Sequence, residues 1–584
     1  MNRMRVILYF FIIPILGTYA SIRNGEVTAA DDQCTEIGRD ILNAQNGSAV
    51  DAAIATMLCL GVKMPHAMGI GGGFQMVIYD HGTKKAEHIN AREMSPKSTN
   101  IDYFKSEEFK SAYKPHQQRY KKWGPLSIAI PGELSGYWSA HQRHGKLPWA
   151  DLFQPTIKLA RLGAPMSRFT YAALSHWDNF EHFLYPIMQD QPLCKSSLSE
   201  LLCENGSIKK VGEIVKMPKL AKTLEIIAEE GIQAFYNGSL TDELLSELNS
   251  QEFPEGSSKY FPYPYFKRED FTNYTVAVGE PFTTGLSHLT MYSPSIPGGG
   301  PVLGFMLELI QGFKPNVSKG ASMDNISEVK FMHRVVEVMK FGAAHRIMMG
   351  DADIQAILQQ MKNDDYLEDI RRKITGTAHP SETYYAKKRA QLDSGTLHIS
   401  VMAPNGDAVA VTSSINTPFG SYHHSKSTGI IFNNQMNDFT YPLYNQYVEY
   451  ENHEANLLAP SKRPQSSQSP TIFVDDNGEV RYVIGGAGGK QITPALLQVI
   501  MRVLWLGEDI HTAIDKPRVT QHLFPEFALG YERTFDKKII RLLHLFRHKS
   551  YLFMGLPCIG RIEIIKQHSN GTIEGYSDRR KFVT

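Results

Sequence analysis

The sequence predicts an α+β fold in which mixed β-sheets are covered by helices. Two strand–turn–strand patterns, at 397–415 and 470–489, are set among long helical stretches, and a further strand pattern lies at 74–80. Strands stacked between helical segments are typical of a sandwich of α+β or α/β type. The chain has 584 residues, 42% apolar and 21% charged, which is ordinary globular composition with enough length for a large core.

The first half of the chain is predicted to be mainly helical. Residues 49–60 (AVDAAIATMLCL) are rich in Ala and Leu and indicate a buried helix. The glycines of GIGGG (69–73) break the chain, and FQMVIYD (74–80) then indicates a strand. Long amphipathic helical segments are expected over 133–250 and over 300–375, the second of which opens at the Pro/Gly breaker SIPGGGP.

From residue 376 onwards the pattern changes to turns and strands. Residues 376–395 are polar and turn-rich, without periodicity, and predict an exposed connection. Alternating and β-branched residues around short turns then indicate two hairpins, and a helix follows the second. The predicted elements are the strands LHISVMAP (397–404) and VAVTSSI (409–415) around the turn NGDA (405–408), two strands around an Asn-Gly turn within 470–489, and the helix QITPALLQVIMRVLWL (491–506).

The amino terminus has the order of residues that suits export. Arg3 and Arg5 precede the fifteen mostly apolar residues from Val6 to Ala20. A membrane-spanning helix needs about 20 residues, whereas the apolar part of a signal peptide needs about 7–15. We therefore expect residues 1–20 to be a cleaved signal peptide of a secreted protein. The alternative is an uncleaved anchor that leaves the catalytic domain outside the cell as a type II membrane protein.

Cysteines and glycosylation motifs agree with an extracellular location. In an oxidising compartment the simplest disulfides are the local pairs Cys34–Cys59 and Cys194–Cys203. Cys558 then has no predicted partner, and is either free and buried or paired in another way. The first of seven N-x-[ST] motifs lies where the buried helix is expected to start. The motifs begin at Asn46, Asn205, Asn237, Asn273, Asn316, Asn325 and Asn570.

Charge and several common motifs exclude other classes of function. The formal net charge is +1, which gives no electrostatic reason to bind nucleic acid. GGAGGK (485–490) resembles a phosphate-binding loop, but that motif would require Gly at 484 and Ser or Thr at 491, where Ile484 and Gln491 stand. H-E-x-x-H, paired C-x-x-C and G-x-S-x-G motifs do not occur. We therefore expect neither a metal nor a cofactor.

Nine segments, in one order across more than four hundred residues, resemble the γ-glutamyltranspeptidase family. The resemblance implies the four-layer αββα sandwich of N-terminal-nucleophile hydrolases, built from two fragments of one self-cleaved precursor. The segments are NGSAVDAAIATMLCLGVKMPHAMGIGGGFQMVIYD (46–80), INAREMSP (89–96), IPGELSGY (130–137), HQRHGKLPWADLFQPTIKLAR (141–161), GTLHISV (395–401), SSINTPFGS (413–421), GIIFNNQMNDF (429–439), KRPQSSQSPT (462–471) and GGAGGKQIT (485–493).

The resemblance marks Thr396 as the site of self-cleavage and as the nucleophile. A threonine hydroxyl inside a chain is a poor nucleophile. Cleavage of the Gly395–Thr396 bond would free an α-amine with a reference pKa of about 7.7–8.0, which can act as general base towards its own hydroxyl. The expected products are a large fragment, 21–395, and a small catalytic fragment, 396–584, which stay together as a heterodimer.

Further residues take catalytic roles by the same resemblance. Ser414 stands where the family usually has a threonine hydrogen-bonded to the nucleophile, and Leu397 replaces a common second threonine. Gly488 and Gly489 would form the oxyanion hole, because backbone N–H groups between a strand and a helix can point at a developing negative charge. From the local sequence alone, these glycines fit an ordinary tight turn equally well.

The α-carboxylate of the glutamyl substrate is expected to bind Arg92, Ser466 and Ser467. A guanidinium suits a carboxylate by bidentate geometry. Taken without the resemblance, Arg92 could instead pair with its neighbour Glu93 or with another surface carboxylate, and the two serines could belong to a plain loop after Pro464.

The α-ammonium is expected to bind Asp438, with the amide oxygens of Asn416 and Gln435, since a carboxylate accepts from N–H donors. In isolation, NNQMNDF could equally be a turn capped by Asn and Asp. The segment PFGSYHHSKST (418–428) resembles a flexible lid, in which His423 and His424 are expected to be solvated.

The implied activity is that of a γ-glutamyltransferase and glutathione hydrolase. It would cleave glutathione and other γ-glutamyl compounds and pass the acyl group to water, amino acids or dipeptides. Two alternatives remain open at this stage. The first is an N-terminal-nucleophile amidase for another acyl group, and the second is a secreted, catalytically silent homologue that acts as a binding protein.

Overall fold

Two six-stranded antiparallel sheets, packed face to face, form the centre of the molecule. The computed structural model describes residues 24–107, 124–174, 193–250, 266–313, 325–384, 395–441, 454–521, 528–553 and 559–580. Helices cover the outer face of each sheet, so the molecule has four layers in the order helix, sheet, sheet, helix. The four-layer αββα sandwich expected from the sequence is confirmed.

The first sheet contains the strand with Thr396. Its strands come from both sides of the predicted cleavage point, and the strands Gly395–Met402 and Ala408–Asn416 are buried on both faces. In spatial order the strands are Glu26–Thr28, Gly395–Met402, Ala408–Asn416, Gly73–Asp80, Lys85–Ala91 and Ala277–Gly279.

The second sheet faces the first and ends in the glycine-rich turn. In spatial order its strands are Ile573–Ser577, Arg561–Gln567, Val480–Ala487, Thr471–Asp475, Leu289–Ser293 and Phe282–Leu286. Three small sheets lie outside the sandwich. They pair Val519–Gln521, Ala528–Tyr531 and Lys549–Leu552; Ala164–Pro165 and Ile214–Val215; and Cys203–Glu204 and Ser207–Ile208.

Helices from the first half of the chain cover the first sheet. They are Asp32–Asn43, Ala49–Lys63, Ile101–Lys105, Glu133–His144, Gln154–Leu162, Ser199–Leu202, Pro218–Glu230, Gln233–Asn237, Ser239–Leu248 and Arg268–Thr272. The predicted helical stretch over 133–250 is therefore confirmed in outline, although it is broken into short helices and two-residue strands.

The second sheet is covered by helices from both halves of the chain. They are Gly300–Gly312, Asn325–Ile347, Gln355–Met361, Asp364–Lys373, Ile492–Leu504, Ile510–Asp515 and Lys537–Leu545. Single 3₁₀ turns lie at Pro125–Ser127, Trp149–Phe153, Leu193–Lys195, Ser381–Tyr384, Gln435–Asp438, Glu454–Asn456 and Gly489–Gln491.

Alternation along the central strands sorts side chains between two apolar layers. Val409 and Val411 face the helices of the first half, whereas Ala408 and Ala410 face the second sheet. Successive side chains of a strand point to opposite faces, so this alternation continues to the polar end of the strand. Ser414 therefore lies between the sheets, on the side of Thr396.

The predicted helix at 49–60 spans Ala49–Lys63. It begins at a capping box in which Ser48 Oγ accepts from the Asp51 N–H and the Asp51 carboxylate accepts from the Ser48 N–H. Asn46, which was expected at a buried helix start, is instead exposed, with φ of 55° just before this cap. The Asn residues of the motifs at 205, 237, 273 and 570 are also exposed.

The predicted connection at 376–395 is only partly exposed. Residues 376–380 lie at or near the surface, but Tyr384 is fully buried against Glu337. Residues 385–394 lie outside the described part of the chain. The hairpins and the helix expected after residue 396 are confirmed, with boundaries shifted by one or two residues.

Both predicted disulfides are present, Cys34–Cys59 and Cys194–Cys203, while Cys558 lies outside the described residues. Among the helices that the structure describes, none is both long and apolar enough to span a bilayer. Residues 1–23, which carry the expected signal peptide or anchor, are not among those described.

Candidate active site

Thr396 lies at the start of a buried strand, where the strand pairing is irregular. Gly395 pairs with Asn416 and Thr396 pairs with Ser414, so Ile415 is an extra residue opposite the Gly395–Thr396 bond. Asn416 has φ of 78°, an uncommon left-handed conformation for a residue other than glycine. Bulges of this kind redirect side chains and are frequent beside active sites. The predicted scissile bond therefore lies at a backbone irregularity.

The Ser414 hydroxyl joins both sides of that bond. Its Oγ lies 3.1 Å from Thr396 Oγ1 and 2.5 Å from the Gly395 carbonyl oxygen, and it accepts from the Asn416 N–H at 2.8 Å. A hydroxyl has one proton, and here a carbonyl oxygen can only accept it. The Ser414 proton therefore points at Gly395, and Thr396 donates its own proton to Ser414 Oγ.

The departure at Leu397 has a structural reason. Its side chain is buried in the apolar layer between the first sheet and the helices, on the face away from Thr396 Oγ1. Leucine suits that environment better than threonine, and its side chain makes no demand on the position of Thr396 Oγ1. His398 faces the same side as Thr396 and bonds to Thr412 and Ser400. Burial lowers the pKa of His398 to about 3, so it is neutral.

Gly488 and Gly489 follow the strand Val480–Ala487 of the facing sheet. Their φ angles are 122° and 57°, which glycine adopts at little cost. A Cβ on Gly488 would come 3.2 Å from the Gly560 Cα, so close packing also favours glycine there. The strand Val480–Ala487 packs closely against the strand Gly395–Met402, as shown by Gly485, where an added Cβ would overlap the His398 ring. No described contact joins either of these two turn glycines directly to Thr396.

The two charged residues predicted for the substrate head are paired with each other. Arg92 Nη2 donates to Asp438 Oδ2 at 2.7 Å, and both side chains are at least nine-tenths buried. The guanidinium also donates to the carbonyl oxygens of Pro464 and Gln465. The alternative partner Glu93 is close as well, with Oε2 3.4 Å from Arg92 Nη1. The ion pair brings the predicted carboxylate and ammonium subsites into contact.

Two buried amide oxygens nearby have no hydrogen-bond partner in the part of the chain that the structure describes, namely Asn416 Oδ1 and Gln435 Oε1. The amide nitrogens of both residues are occupied, since Asn416 Nδ2 donates to the Asn434 carbonyl and Gln435 Nε2 donates to Asp438. Buried acceptors usually have a donor, and an unpaired one is costly. These two oxygens, beside the Asp438 carboxylate, suit a ligand with several N–H donors.

The two predicted serines keep their protons available. Ser466 Oγ accepts from the Gln468 N–H at 3.1 Å, and Ser467 Oγ accepts from Arg346 Nε at 2.7 Å. In both contacts the serine oxygen is the acceptor, so each hydroxyl can still donate to a carboxylate. The contact between Arg92 and the Gln465 carbonyl places the guanidinium next to this loop.

Eight of the ten predicted site residues are thus linked by short contacts or by adjacency in the chain. The linked residues are Thr396, Ser414, Asn416, Gln435, Asp438, Arg92, Ser466 and Ser467.

Glu93 is a feature of the site that the sequence did not assign. Its carboxyl group is fully buried, and neither oxygen has a hydrogen-bond partner among the described residues. A Cβ on Gly73 would lie 3.0 Å from Glu93 Cδ, so the glycine makes room for the carboxyl group. Burial raises the pKa of Glu93 to about 7, only partly opposed by the charge of Arg92. The signal for it in the sequence was its position beside Arg92 in NAREMSP.

The expectation of solvated histidines in the segment 418–428 is wrong. His424 is buried, and His423 Nε2 lies 3.2 Å from a Glu247 carboxylate oxygen. Glu247 also accepts from the Ser425 and Ser427 hydroxyls and from the Lys426 N–H. Although burial by itself raises it, these partners bring the pKa of Glu247 below its ordinary value. A carboxylate from the helix Ser239–Leu248 therefore holds this segment in place.

One cluster among the described residues has the composition of a metal site, namely His333, Glu337 and His548. However, Lys340 Nζ donates to Glu337 Oε1 at 2.8 Å and already balances its charge. His333 Nδ1 and His548 Nε2 are 2.7 Å apart, a hydrogen-bond distance, whereas two nitrogens on one tetrahedral zinc lie about 3.4 Å apart. We therefore interpret the cluster as a hydrogen-bonded network.

Comparisons with known proteins agree with the geometry. A family model described as gamma-glutamyltranspeptidase matches residues 34–582. Scoloptoxin SSD14 of Scolopendra dehaani is 37% identical over 94% of this chain and 89% of its own length. The glutathione hydrolase 5 proenzyme of Mus musculus is 36% identical over 88% of this chain and 84% of its own length. Glutathione hydrolase 2 of Arabidopsis thaliana is 34% identical over 87% of this chain and 82% of its own length.

Solved structures support the same fold. The cephalosporin acylase of Bacillus halodurans superposes with a TM-score of 0.78 at 22% identity, over 98% of both chains. The gamma-glutamyltranspeptidase of Helicobacter pylori superposes with a TM-score of 0.50 at 24% identity, over 62% of this chain and 95% of the other.

Proposed function

Because this chain belongs to the γ-glutamyltranspeptidase family, we propose that it is a γ-glutamyltransferase and glutathione hydrolase with Thr396 as its nucleophile. The observation that carries this proposal is the set of unpaired and charged groups beside Thr396. Asn416 Oδ1 and Gln435 Oε1 have no donor among the described residues, and Arg92 and Asp438 offer one charge of each sign. An amino-acid head, with an ammonium and a carboxylate, complements this set.

Self-cleavage starts with attack of Thr396 Oγ1 on the Gly395 carbonyl carbon. The C–N bond of that peptide breaks as the C–O bond forms, so the acyl group moves from nitrogen to oxygen and the nitrogen takes up the hydroxyl proton. The hydrogen bond from Ser414 stabilises the charge on the Gly395 oxygen during this step. Water then hydrolyses the ester, which leaves the Gly395 carboxylate and a free amine on Thr396.

The fragments 21–395 and 396–584 remain associated as a heterodimer. In the first sheet, the two strands of the small fragment lie between strands of the large one, where Gly73–Asp80 pairs with Ala408–Asn416 and Glu26–Thr28 pairs with Gly395–Met402. The hydrogen bonds of two strand pairs and a shared apolar layer therefore hold the fragments together after the cut.

Recognition of the substrate adds a second partner to each charge of the Arg92–Asp438 pair. The substrate carboxylate binds Arg92 with the hydroxyls of Ser466 and Ser467, and the ammonium binds Asp438 with the oxygens of Asn416 and Gln435. Each buried charge then has a partner from the ligand in addition to its present one, and the two unpaired amide oxygens gain donors. The head is thereby fixed relative to Thr396.

Turnover proceeds through a γ-glutamyl ester of Thr396. The free α-amine accepts the Thr396 hydroxyl proton as Oγ1 attacks the γ-carbonyl carbon, and the proton passes to the leaving amine as the C–N bond breaks. The N–H groups of Gly488 and Gly489 stabilise the oxyanion. Water attacks the ester in hydrolysis, and an amino acid or dipeptide attacks it in transfer. This chemistry requires no metal or cofactor.

An extracellular location is part of the proposal, either as a secreted protein or as an anchored one. The two disulfides support an oxidising compartment, and the exposed sequon asparagines are compatible with glycosylation.

The substrate class is tested with γ-glutamyl-p-nitroanilide and glutaryl-p-nitroanilide, which differ only in the α-ammonium group. We expect a large preference for the γ-glutamyl compound, because only its α-ammonium group can bind Asp438, Asn416 and Gln435. An amidase for other acyl groups would not need these three residues. Equal rates would favour the amidase alternative. N-terminal sequencing of the fragments tests the cleavage, for which we expect a small fragment that begins at Thr396 and a Thr396→Ala chain that stays intact and inactive.

A further inference from the structure

A second buried carboxyl group, that of Glu133, lies directly behind the strand that carries Ser414. The Ser413 Oγ is 2.9 Å from each of its two oxygens, and the Tyr137 hydroxyl donates to Oε1 at 2.6 Å. The backbone around Glu133 is also fixed, since the N–H groups of Gly132 and Glu133 both donate to the Gly72 carbonyl oxygen. Glu133 is fully buried.

Ser413 and Ser414 are consecutive residues of the same strand, so their side chains point to opposite faces. Ser414 pairs with Thr396 on one side and with Gly73 on the other, while Ser413 pairs with Leu397 and Phe74. The Glu133 contact therefore holds the strand from its outer face at the residue next to the hydroxyl that contacts Thr396. If this contact is lost, the end of the strand beside the bulge loses one of the hydrogen bonds that hold it in position.

We propose that Glu133 is a positioning residue that, through Ser413, holds the Ser414 hydroxyl within reach of both Thr396 Oγ1 and the Gly395 carbonyl oxygen. This inference rests on the proposed function of Thr396. Glu133 touches neither the substrate nor the nucleophile and acts through the strand alone. A displacement of the order of 1 Å at a catalytic group can lower the rate by about 10²-fold, so a small shift of this strand is sufficient to affect turnover.

The surroundings of Glu133 favour its neutral form. The groups that face it are Ser413 and Tyr137, with the buried Glu93 and Tyr236 nearby. Burial raises the pKa of Glu133 to about 8, opposed by the two hydroxyl donors and reinforced by Glu93. At neutral pH, glutamine is therefore a close mimic of the neutral carboxyl group, whereas leucine has a similar volume and no hydrogen bonds.

The test compares Glu133→Leu, Glu133→Gln and Ser413→Ala with the wild type in two assays, the rate of self-cleavage and the hydrolysis of γ-glutamyl-p-nitroanilide. For Glu133→Leu and Ser413→Ala we expect both the cleavage rate and kcat to fall by about 10-fold or more, while KM stays within about two-fold because the amino-acid head still binds Arg92 and Asp438. Glu133→Gln is expected to restore most of both rates at pH 7.

The matched control is Glu337→Leu. Glu337 is also fully buried and accepts from a tyrosine hydroxyl, that of Tyr384, at 2.5 Å, but it lies on the helix Asn325–Ile347 over the other sheet. This change also deprives the buried Lys340 of its carboxylate partner, so it is expected to lower thermal stability at least as much as Glu133→Leu and to leave kcat and the cleavage rate unchanged. Normal kcat and cleavage in Glu133→Leu, at an equal loss of stability, would overturn the positioning role.

Two further outcomes keep the test decisive. If Glu133→Leu does not fold, Ser413→Ala removes one hydroxyl and tests the same link, and wild-type rates in that variant overturn the proposal. A crystal structure of either variant gives an answer that does not depend on activity, because an unchanged distance of 3.1 Å between Ser414 Oγ and Thr396 Oγ1 contradicts it. A wild-type protein that neither cleaves itself nor hydrolyses the substrate would instead contradict the proposed function.

Discussion

The Ser414 hydroxyl donates a hydrogen bond of 2.5 Å to the carbonyl oxygen of Gly395. That carbonyl belongs to the peptide bond whose cleavage would free the amine of Thr396. A donor at the oxygen stabilises the negative charge that develops there when a nucleophile attacks the carbon. The same Ser414 oxygen lies 3.1 Å from Thr396 Oγ1, so one side chain contacts both reacting groups of the proposed self-cleavage.

Removal of the Ser414 hydroxyl should slow the self-cleavage of the precursor. In Ser414→Ala we expect cleavage at Gly395–Thr396 to be about 10²–10³-fold slower, the usual cost of losing one donor to an oxyanion. Ser414→Thr keeps the hydroxyl and should cleave at close to the wild-type rate. The measurement is a time course of the purified precursor on denaturing gels. Equal rates for Ser414→Ala and the wild type would show that the hydrogen bond has no part in cleavage.

Arg92→Lys should weaken substrate binding more than it slows chemistry. Lysine keeps the charge but loses the bidentate geometry and the contacts with the Pro464 and Gln465 carbonyls. We expect KM for γ-glutamyl-p-nitroanilide to rise about 10–100-fold, with a smaller change in kcat. Arg143→Lys, at an exposed arginine paired with Glu87, is the control and should change neither constant. An unchanged KM in Arg92→Lys would remove Arg92 from the carboxylate subsite.

Asp438→Asn should reduce the discrimination between substrates with and without the α-ammonium group. Asparagine has the shape of aspartate but lacks its charge, so the ammonium loses a charge-assisted acceptor. We expect the ratio of kcat/KM for the γ-glutamyl and glutaryl p-nitroanilides to fall about 10-fold or more, which corresponds to about 1.4 kcal/mol. A ratio equal to that of the wild type would mean that Asp438 serves only to balance Arg92.

The sequence was sufficient for the parts of the site that depend on residue type and order. The motifs predicted the fold, which the structure confirms, and a set of candidate site residues, because they specify residue types at fixed positions in the chain. The structure adds that eight of these residues form one connected set. It also shows that the Leu397 side chain points away from Thr396 Oγ1, because successive side chains of a strand point to opposite faces.

Contacts between distant parts of the chain could not be predicted in this way. The sequence predicts a ligand carboxylate, Glu93 or another surface carboxylate as the partner of Arg92, whereas the structure pairs it mainly with the buried Asp438, a residue 346 positions away. The resemblance of their segment to a flexible lid predicts that His423 and His424 are solvated, but Glu247 from an earlier helix holds that segment in place. In both cases the deciding interaction is a buried charge whose partner is set by the tertiary fold.

Glu247 should stabilise the folded protein at neutral pH and lose this effect in acid. Its pKa in the folded state is below the ordinary 4.5, so the folded protein favours the ionised form. The stabilisation is therefore complete above about pH 4.5 and declines as the pH falls towards the folded-state pKa. We expect Glu247→Gln to lower the free energy of unfolding by about 2 kcal/mol at pH 7, and by progressively less below pH 4.5.

The comparison is best made in the Thr396→Ala background, which should keep the chain in one piece during urea denaturation. Glu243→Gln is the control, since Glu243 is exposed on the same helix. A difference between Glu247→Gln and its parent that stays constant from pH 7 to pH 3 would contradict the role assigned to the carboxylate.

Glu93 should have the opposite effect on the pH dependence of stability. Burial raises its pKa from 4.5 to about 7 in the folded state, so between these values the unfolded chain has lost the proton while the folded protein still holds it. The unfolded state then binds fewer protons, and stability falls as the pH rises across this range, by up to about 1.4 kcal/mol per pH unit for one group. Glu93→Gln has no proton to lose, so the variant should become more stable relative to its parent from pH 4.5 to 7. Urea denaturation at half-unit pH steps, again in the Thr396→Ala background, measures this slope, and parallel curves for variant and parent would mean that Glu93 is already ionised in the fold.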